Sequence, residues 1–137
     1  MIYIERTESF SAAHQLFNPK WTDEQNDAVF GKCANRAYHG HNFQLTVVVK
    51  GEVNPDTGFV LNLVDLKQVM MEHVVDRVDH KNLNVDVPFL HGVLPSTENL
   101  ASAFWALLQQ PIANLGGTLH CIRLRETDKN AVEYYGE

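Results

Sequence analysis

Apolar and polar residues alternate with a period of two near the start of the chain. The alternation begins at Ile2, runs from Ile4 to Phe10, and is clearest in a second row formed by Phe43, Leu45, Val47 and Val49. This pattern is typical of β-strands with one buried face. A turn signal, Asn54-Pro55-Asp56-Thr57-Gly58, follows the second row. We therefore predict a long antiparallel strand pair.

A helical period replaces the strand period in the middle of the chain. Two apolar faces repeat every three to four residues, one formed by Leu63, Leu66, Val69, Met70 and Val74, the other by Leu100, Ala103, Phe104, Leu107 and Leu108. Ser96 or Thr97, directly after Pro95, can cap the second helix. We therefore predict two helices.

Strand alternation returns in the tail. Ile122 and Leu124 share one face, and after a polar turn from Thr127 to Asn130 the alternation resumes at Val132 and Tyr134. The predicted order is strand, strand, helix, helix, strand, strand. This order favours the α+β class, with an antiparallel sheet and both helices on one face.

The segment from Asn18 to Arg36 is polar and follows neither period, so we expect a mobile loop that contains Cys33. The chain has 137 residues, of which 45% are hydrophobic. A chain of this size can bury one core, and we expect a single domain over residues 1–137.

Composition excludes several classes of protein. The formal charge of −6 argues against a nucleic-acid partner, since binding phosphates requires a surplus of Lys and Arg. No apolar run approaches the roughly 20 residues that span a bilayer. The first residues, Met1-Ile2-Tyr3-Ile4-Glu5, lack the basic region and following apolar stretch of a secretion signal. We expect no membrane partner and a cytoplasmic protein, in which Cys33 and Cys121 are reduced rather than paired.

Three histidines suggest a metal site. His39 and His41 share the parity of Phe43, so both rings project from the inward face of a continuous strand. A lone His-x-His at a strand end is more often two ordinary polar residues, but His14 continues the parity of Phe10 and would lie beside them. A catalytic zinc ion takes three protein ligands and one open position, so we predict Zn²⁺ on His14, His39 and His41.

Glu126 shares the parity of Ile122 and Leu124, which places a carboxylate at the end of an apolar row. An unpaired buried charge is costly, so Glu126 needs a cationic or donor-rich partner. A ligand edge with two adjacent N–H donors would satisfy both oxygens of such a carboxylate. The alternative is a salt bridge to Arg123 or Arg125.

Three further residues are candidates for proton transfer. Asp79 directly precedes His80, and a carboxylate near a histidine can orient its ring. Cys33 lies beside Lys32 and Arg36, whose charges favour a thiolate. Each signal is weak alone, and Cys121 fits an inert strand thiol.

Several segments resemble, in order, the 6-pyruvoyltetrahydropterin synthase family, which includes the 6-carboxytetrahydropterin synthases. These segments are Phe10-Ser11-Ala12-Ala13-His14, Gly31-Lys32-Cys33-Ala34-Asn35, His39-Gly40-His41-Asn42, Val78-Asp79-His80-Lys81-Asn82-Leu83, Ser96-Thr97-Glu98-Asn99 and Glu126-Thr127. The resemblance implies the tunnelling fold, in which ββααββ subunits form a barrel as trimers and two trimers stack as a hexamer.

The resemblance also implies roles for individual residues. It gives His14, His39 and His41 as zinc ligands, and Cys33, Asp79 and His80 as the catalytic set, with the Asp-His pair reaching the pocket from a neighbouring subunit. Glu126 would anchor the pterin, with Ser96 and Thr97 near the ring.

The implied activity is that of a carbon–oxygen lyase acting on phosphates, which converts 7,8-dihydroneopterin triphosphate to 6-pyruvoyltetrahydropterin. The 6-carboxytetrahydropterin synthases of queuosine synthesis share these residue types, but their step from the Cys to the zinc histidines is typically shorter than the six residues from Cys33 to His39. The chain departs from the family's pattern at Arg36-Ala37-Tyr38, where the family usually has small polar residues. This difference bears on the preference for the substrate's side chain more than on zinc binding. A non-enzymatic metal-binding interaction domain is the other alternative, and the presence of Cys33, Asp79 and Glu126 argues against it.

Overall fold

The computed structural model describes residues 1–137. Strand β1 (Ile2–His14) pairs antiparallel with β2 (His39–Gly51), from Ile2 opposite Gly51 to His14 opposite His39. Strand β4 (Thr118–Thr127) adds to the other edge of β2, and β5 (Asn130–Tyr134) closes a hairpin with β4. The predicted antiparallel strand order is confirmed.

A fifth strand, β3 (Lys81–Asn82), pairs in parallel with Ala12 and Ala13, giving the sheet order β3-β1-β2-β4-β5. The sequence did not indicate β3, because two residues are too few to show alternation.

The two predicted helices are present and pack on one face of the sheet. Helix α2 (Leu63–Met70) continues through a π-helical segment, Met71–Val75, into the short α3 (Asp76–Val78), and α4 spans Thr97–Asn114. Leu66, Met70 and Val74 are fully buried, as the helical period predicts, whereas Leu63 is 39% exposed. The α+β class with both helices on one face is therefore confirmed.

The segment from Asn18 to Arg36 is not the irregular loop that its composition suggested. Helix α1 (Asp23–Phe30) begins with a capping box in which Thr22 and Gln25 exchange side-chain-to-backbone hydrogen bonds, and it runs into a 3₁₀ turn, Gly31–Ala34. The helix buries only one residue, Asn26, so it lacks the apolar stripe by which amphipathic helices are recognised.

The core lies between the sheet and the helices and contains 23 buried apolar residues. Phe10 and Phe43 occupy neighbouring strands in this layer and stack with their ring centroids 4.9 Å apart. Because side chains of one parity share a face, the next inward positions beyond these rings are Ala12, His14 and His41. The apolar rows therefore end at a cluster of histidines.

Candidate metal and pterin site

Strand register brings His14, His39 and His41 together. His14 lies opposite His39, while His41 lies opposite Ala12, whose small side chain leaves space between the rings. One potential ligand atom from each histidine falls within 4.8 Å of the others. The structure thus assembles the three residues that strand parity selected, and this group could hold a metal ion.

The orientation of His14 is fixed by a backbone acceptor. Its Nδ1 donates to the carbonyl oxygen of Pro95 at 2.8 Å, which leaves Nε2 as the nitrogen with a free lone pair. Hydrogen bonding of the second ring nitrogen is the usual way in which a metal-binding histidine is held. No sequence pattern reveals this contact, because any residue at position 95 would supply the carbonyl.

Burial keeps two of these rings neutral. Removal from solvent lowers the pKa of His14, and it also lowers the pKa of His39, with the neighbouring histidines as further causes. His14 Nε2, both ring nitrogens of His39 and His41 Nε2 are buried without a hydrogen-bond partner. Buried polar atoms are normally satisfied, so this group of free imidazole nitrogens fits a metal ion as the missing partner.

Glu126 meets the donor-rich environment that its parity required. Its Oε2 accepts a 2.6 Å hydrogen bond from Thr97 Oγ1, and its Oε1 lies 3.6 Å from His41 Nε2, too far for a hydrogen bond. The alternative salt bridge is absent, since Arg123 binds Glu133 at 2.9 Å and Arg125 Nη1 donates to the Asp128 carbonyl. The carboxylate therefore retains acceptor capacity beside the histidines.

Three consecutive residues connect this site to α4. The Pro95 carbonyl holds His14, the Ser96 side chain caps α4 by accepting from Asn99 N, and Thr97 holds Glu126. We call residues 95–97 the cap segment. Ser96 is thus the helix cap rather than Thr97, whose hydroxyl serves the carboxylate.

A cleft of about 390 Å³ opens beside Glu126. This volume lies within the range of small-molecule sites. Sequence reasoning identified Glu126, Ser96 and Thr97 in its wall but missed Leu16 and the turn residues Lys129 and Asn130. The position of Lys129 and Asn130 just after Glu126 was the available signal.

Cys33 lies in the 3₁₀ turn after α1 and is half-buried. Its carbonyl oxygen accepts a 2.8 Å hydrogen bond from Leu16 N, which fastens the turn to the residues that follow His14. Lys32 is exposed, whereas the Arg36 guanidinium lies 3.1 Å from the Asp23 carboxylate. Only one of the two predicted cationic neighbours is therefore without a carboxylate partner.

The Asp79 and His80 side chains lie within hydrogen-bond distance, with 3.0 Å between His80 Nδ1 and Asp79 Oδ2. Asp79 Oδ1 accepts a hydrogen bond from the backbone N–H of Ser11, and the carbonyl oxygen of Ser11 accepts one from the backbone N–H of His80. The hydrogen bond from Ser11 is the largest cause that lowers the pKa of Asp79. The His80 side chain is 82% exposed and forms no hydrogen bond or ion pair with Cys33, Glu126 or the histidine cluster.

The fold and this cluster define an α+β protein in which three histidines that could hold a metal ion lie beside a carboxylate-lined cleft, and comparison with known proteins identifies its family. The family model described as 6-pyruvoyl tetrahydropterin synthase matches residues 3–137. The chain belongs to this family. It is accordingly a lyase of tetrahydrobiopterin biosynthesis, as the sequence resemblance predicted.

Individual relatives cover nearly the whole chain. It is 46% identical over 134 residues to 6-pyruvoyl tetrahydrobiopterin synthase of Pongo abelii, and 45% identical to that of Homo sapiens, with 98% of this chain and 91% of each relative covered. The solved structure of Caenorhabditis elegans 6-pyruvoyl tetrahydropterin synthase superposes with a TM-score of 0.86 at 38% identity, covering 99% of this chain and 96% of that one.

Proposed function

We propose that the protein is a zinc-dependent 6-pyruvoyltetrahydropterin synthase, which converts 7,8-dihydroneopterin triphosphate to 6-pyruvoyltetrahydropterin and releases triphosphate. The observation that carries the proposal is the placement of an incompletely paired carboxylate, Glu126, 3.6 Å from His41 in a cluster of three histidines of which His14 is buried. A pterin anchored at Glu126 would direct its side chain towards the metal.

Zinc fits the donor set better than a hard cation, because all three side chains offer imidazole nitrogen and no carboxylate belongs to the cluster. His14, His39 and His41 would hold the ion as three protein ligands, the number typical of catalytic zinc sites. When bound, zinc acts as a Lewis acid towards the side-chain hydroxyls of the substrate. Phe43, whose ring centroid lies 5.9 Å from that of His14 and 5.6 Å from that of His41, gives the site an apolar floor.

Glu126 would bind the ring by accepting from the 2-amino group and N3–H, a bidentate arrangement that fixes the orientation of the pterin. Thr97 holds Oε2 at 2.6 Å and so limits rotation of the carboxylate. Thr97 is the first residue of α4, and the partial positive charge at this helix N-terminus attracts the carboxylate.

Cys33 would act as the base that removes side-chain protons, and His80, oriented by Asp79, would return them at another atom. Loss of triphosphate and relocation of protons from the side chain to the ring balance without an external oxidant or reductant. The ring is reduced while the side chain becomes a dicarbonyl, so no nicotinamide or flavin is required.

His80 projects into solvent from the edge of the sheet where β3 lies, on the far side of β1 from Glu126. This position suits a residue that completes the site of a neighbouring subunit. We therefore include a homo-oligomer, a hexamer of two trimers, in the proposal.

Product analysis with 7,8-dihydroneopterin triphosphate tests the activity. The six-residue step from Cys33 to His39 and the names of the relatives support the pyruvoyl product. Formation of acetaldehyde and a carboxypterin would instead assign the chain to queuosine synthesis. No turnover by the zinc-loaded protein would favour the non-enzymatic metal-binding alternative.

The role of Cys33 has its own test. Cys33→Ala should retain zinc and pterin binding while losing turnover, because the thiolate acts in the chemical step. Cys121 is buried in β4, so Cys121→Ala is the control. It should lower the stability of the fold while the folded protein keeps its activity. Parental turnover in Cys33→Ala would transfer the role of base to another group.

A further inference from the structure

Arg36 makes three contacts around the turn that carries Cys33. Its Nη1 donates to the Ala34 carbonyl at 2.6 Å, its Nη2 lies 3.1 Å from Asp23 Oδ1, and its guanidinium carbon sits 4.4 Å over the ring of Phe17. A planar guanidinium can serve two acceptors and an aromatic face at once, whereas an ammonium cannot reproduce that geometry. Arg36 therefore connects the start of α1, the turn and the chain after β1.

The same turn is held from its other side by the residues that follow His14. Gln15 Nε2 donates to the Ala34 carbonyl at 3.0 Å, and Leu16 N donates to the Cys33 carbonyl at 2.8 Å. Ala34, which is 1% exposed, thus has a carbonyl shared by Gln15 and Arg36. The carbonyls of Cys33 and Ala34 are therefore fixed relative to the end of β1, which carries His14 of the histidine cluster.

We propose that Arg36 is a positioning residue that fixes Cys33 relative to the metal site, an inference that rests on the proposed role of Cys33 as base. The turn spans only Gly31–Ala34 and begins at a glycine with φ of 55°. So short a turn has few internal hydrogen bonds, and its position depends on contacts with neighbouring segments. Loss of the guanidinium leaves the turn hydrogen-bonded to the residues after β1 through Gln15 and Leu16 only. A displacement near 1 Å is enough to slow a proton transfer substantially.

This role is distinct from stabilising the thiolate by charge. The Asp23 carboxylate beside Arg36 offsets the guanidinium charge, and the exposed Lys32 is adjacent to Cys33 in sequence. Positioning and charge stabilisation predict opposite changes in thiol reactivity. A loosened turn exposes the sulfur and speeds alkylation, whereas loss of a stabilising charge slows alkylation at neutral pH.

The experiment measures iodoacetamide labelling of Cys33 in a Cys121→Ala background, together with zinc content and steady-state kinetics. Arg36→Ala should label several-fold faster, with the pH dependence of labelling unchanged and zinc fully retained. Its kcat should fall on the order of ten- to a hundred-fold with little change in KM. Arg36→Lys should retain the charge yet recover only part of kcat.

Arg6→Ala is the matched control, since Arg6 forms a comparable pair with Glu8 at 2.8 Å on β1. It should leave labelling and kcat at parental values. Slower labelling of Arg36→Ala, with the midpoint of its pH dependence at higher pH, would overturn the positioning role and show that Arg36 stabilises the thiolate by its charge. An unchanged labelling rate would overturn both roles. Labelling does not depend on turnover, so full activity in Cys33→Ala would refute the proposed base without altering the measured effect of Arg36 on the turn.

Discussion

Individual contacts make the strongest case at Glu126. The carboxylate is fixed by Thr97 and free of Arg123 and Arg125, so its remaining acceptor capacity is available to a ligand. Glu126→Gln should weaken binding of a pterin by about 1.5–3 kcal/mol, because a neutral amide cannot accept two donors as a carboxylate does. Calorimetric titration with a pterin that lacks a hydroxylated side chain measures this loss.

Glu133→Gln is the control for that measurement. Glu133 pairs with Arg123 and accepts from the Tyr135 hydroxyl, raising the pKa of Tyr135 to about 12. Its replacement should change stability without changing pterin affinity. Equal affinity losses in the two variants would mean that Glu126 is not the anchor.

Asp79 gives a prediction about pH. Its hydrogen bond from Ser11 and its pairing with His80 lower its pKa below the ordinary value of 3.8, so ionised Asp79 stabilises the fold above that pH. The contribution is lost as pH falls through the lowered pKa. Asp79→Asn should therefore be less stable than the parent at neutral pH, and the gap should narrow as the pH falls below 3.8.

Chemical denaturation across this pH range tests the sign. Asp56→Asn, in an exposed turn where the carboxylate accepts no hydrogen bond, should stay within about 0.5 kcal/mol of the parent. A gap between Asp79→Asn and the parent that widens on acidification would contradict the assignment.

Among the elements, α4 matters most because its first turn belongs to the site. Ser96→Ala removes the side-chain cap and should cost about 1 kcal/mol of stability. The cap segment also holds His14 and Glu126, so metal and pterin affinity should fall as well. Denaturation and metal titration of the same variant separate the two effects.

Thr22→Ala provides the comparison, since Thr22 caps α1 in the same way but touches neither ligand site. It should lose similar stability with unchanged metal affinity. If Ser96→Ala loses stability and keeps parental affinity for both ligands, then the cap segment supports the helix alone.

The limits of sequence reasoning also follow element by element. Strand parity found His14, His39, His41 and Glu126 because a period of two is local and fixes the face of each side chain. Helix α1 was missed because its buried residue is the polar Asn26, although the spacing of Thr22 and Gln25 was a readable cap signal. Asp79 is positioned by the backbone N–H of Ser11 in β1, and the Cys33 turn is held in part by the backbone N–H of Leu16; neither group carries a residue-specific signal.

The whole molecule presents a sheet with two incomplete edges. Most of β1 has no partner on the side away from β2, and β5 is unpaired on its outer side. Such edges are normally covered, which supports the proposed assembly of several copies.

None of the protein's helices is both long and apolar enough to cross a membrane.

Mixing two inactive variants tests whether the site is shared between copies. Cys33→Ala and His80→Ala, co-refolded in equal amounts, should regain activity because about a quarter of the interfaces would combine an intact Cys33 with an intact His80 from its neighbour. Each variant refolded alone is the control. No recovery in mixed oligomers, with light scattering confirming that they form, would place both residues in one subunit's site.

The cap segment has a thermodynamic consequence for the two ligand sites. Residues 95–97 hold His14, a proposed metal ligand, and Glu126, the proposed ring anchor, through adjacent backbone and side-chain atoms. We expect binding at the two sites to be linked by a coupling free energy, because a ligand at either site would fix the same segment and so lower the cost of fixing it for the other. Linkage is reciprocal, and the factor by which metal tightens binding of a bare pterin ring equals the factor by which that ring tightens binding of metal.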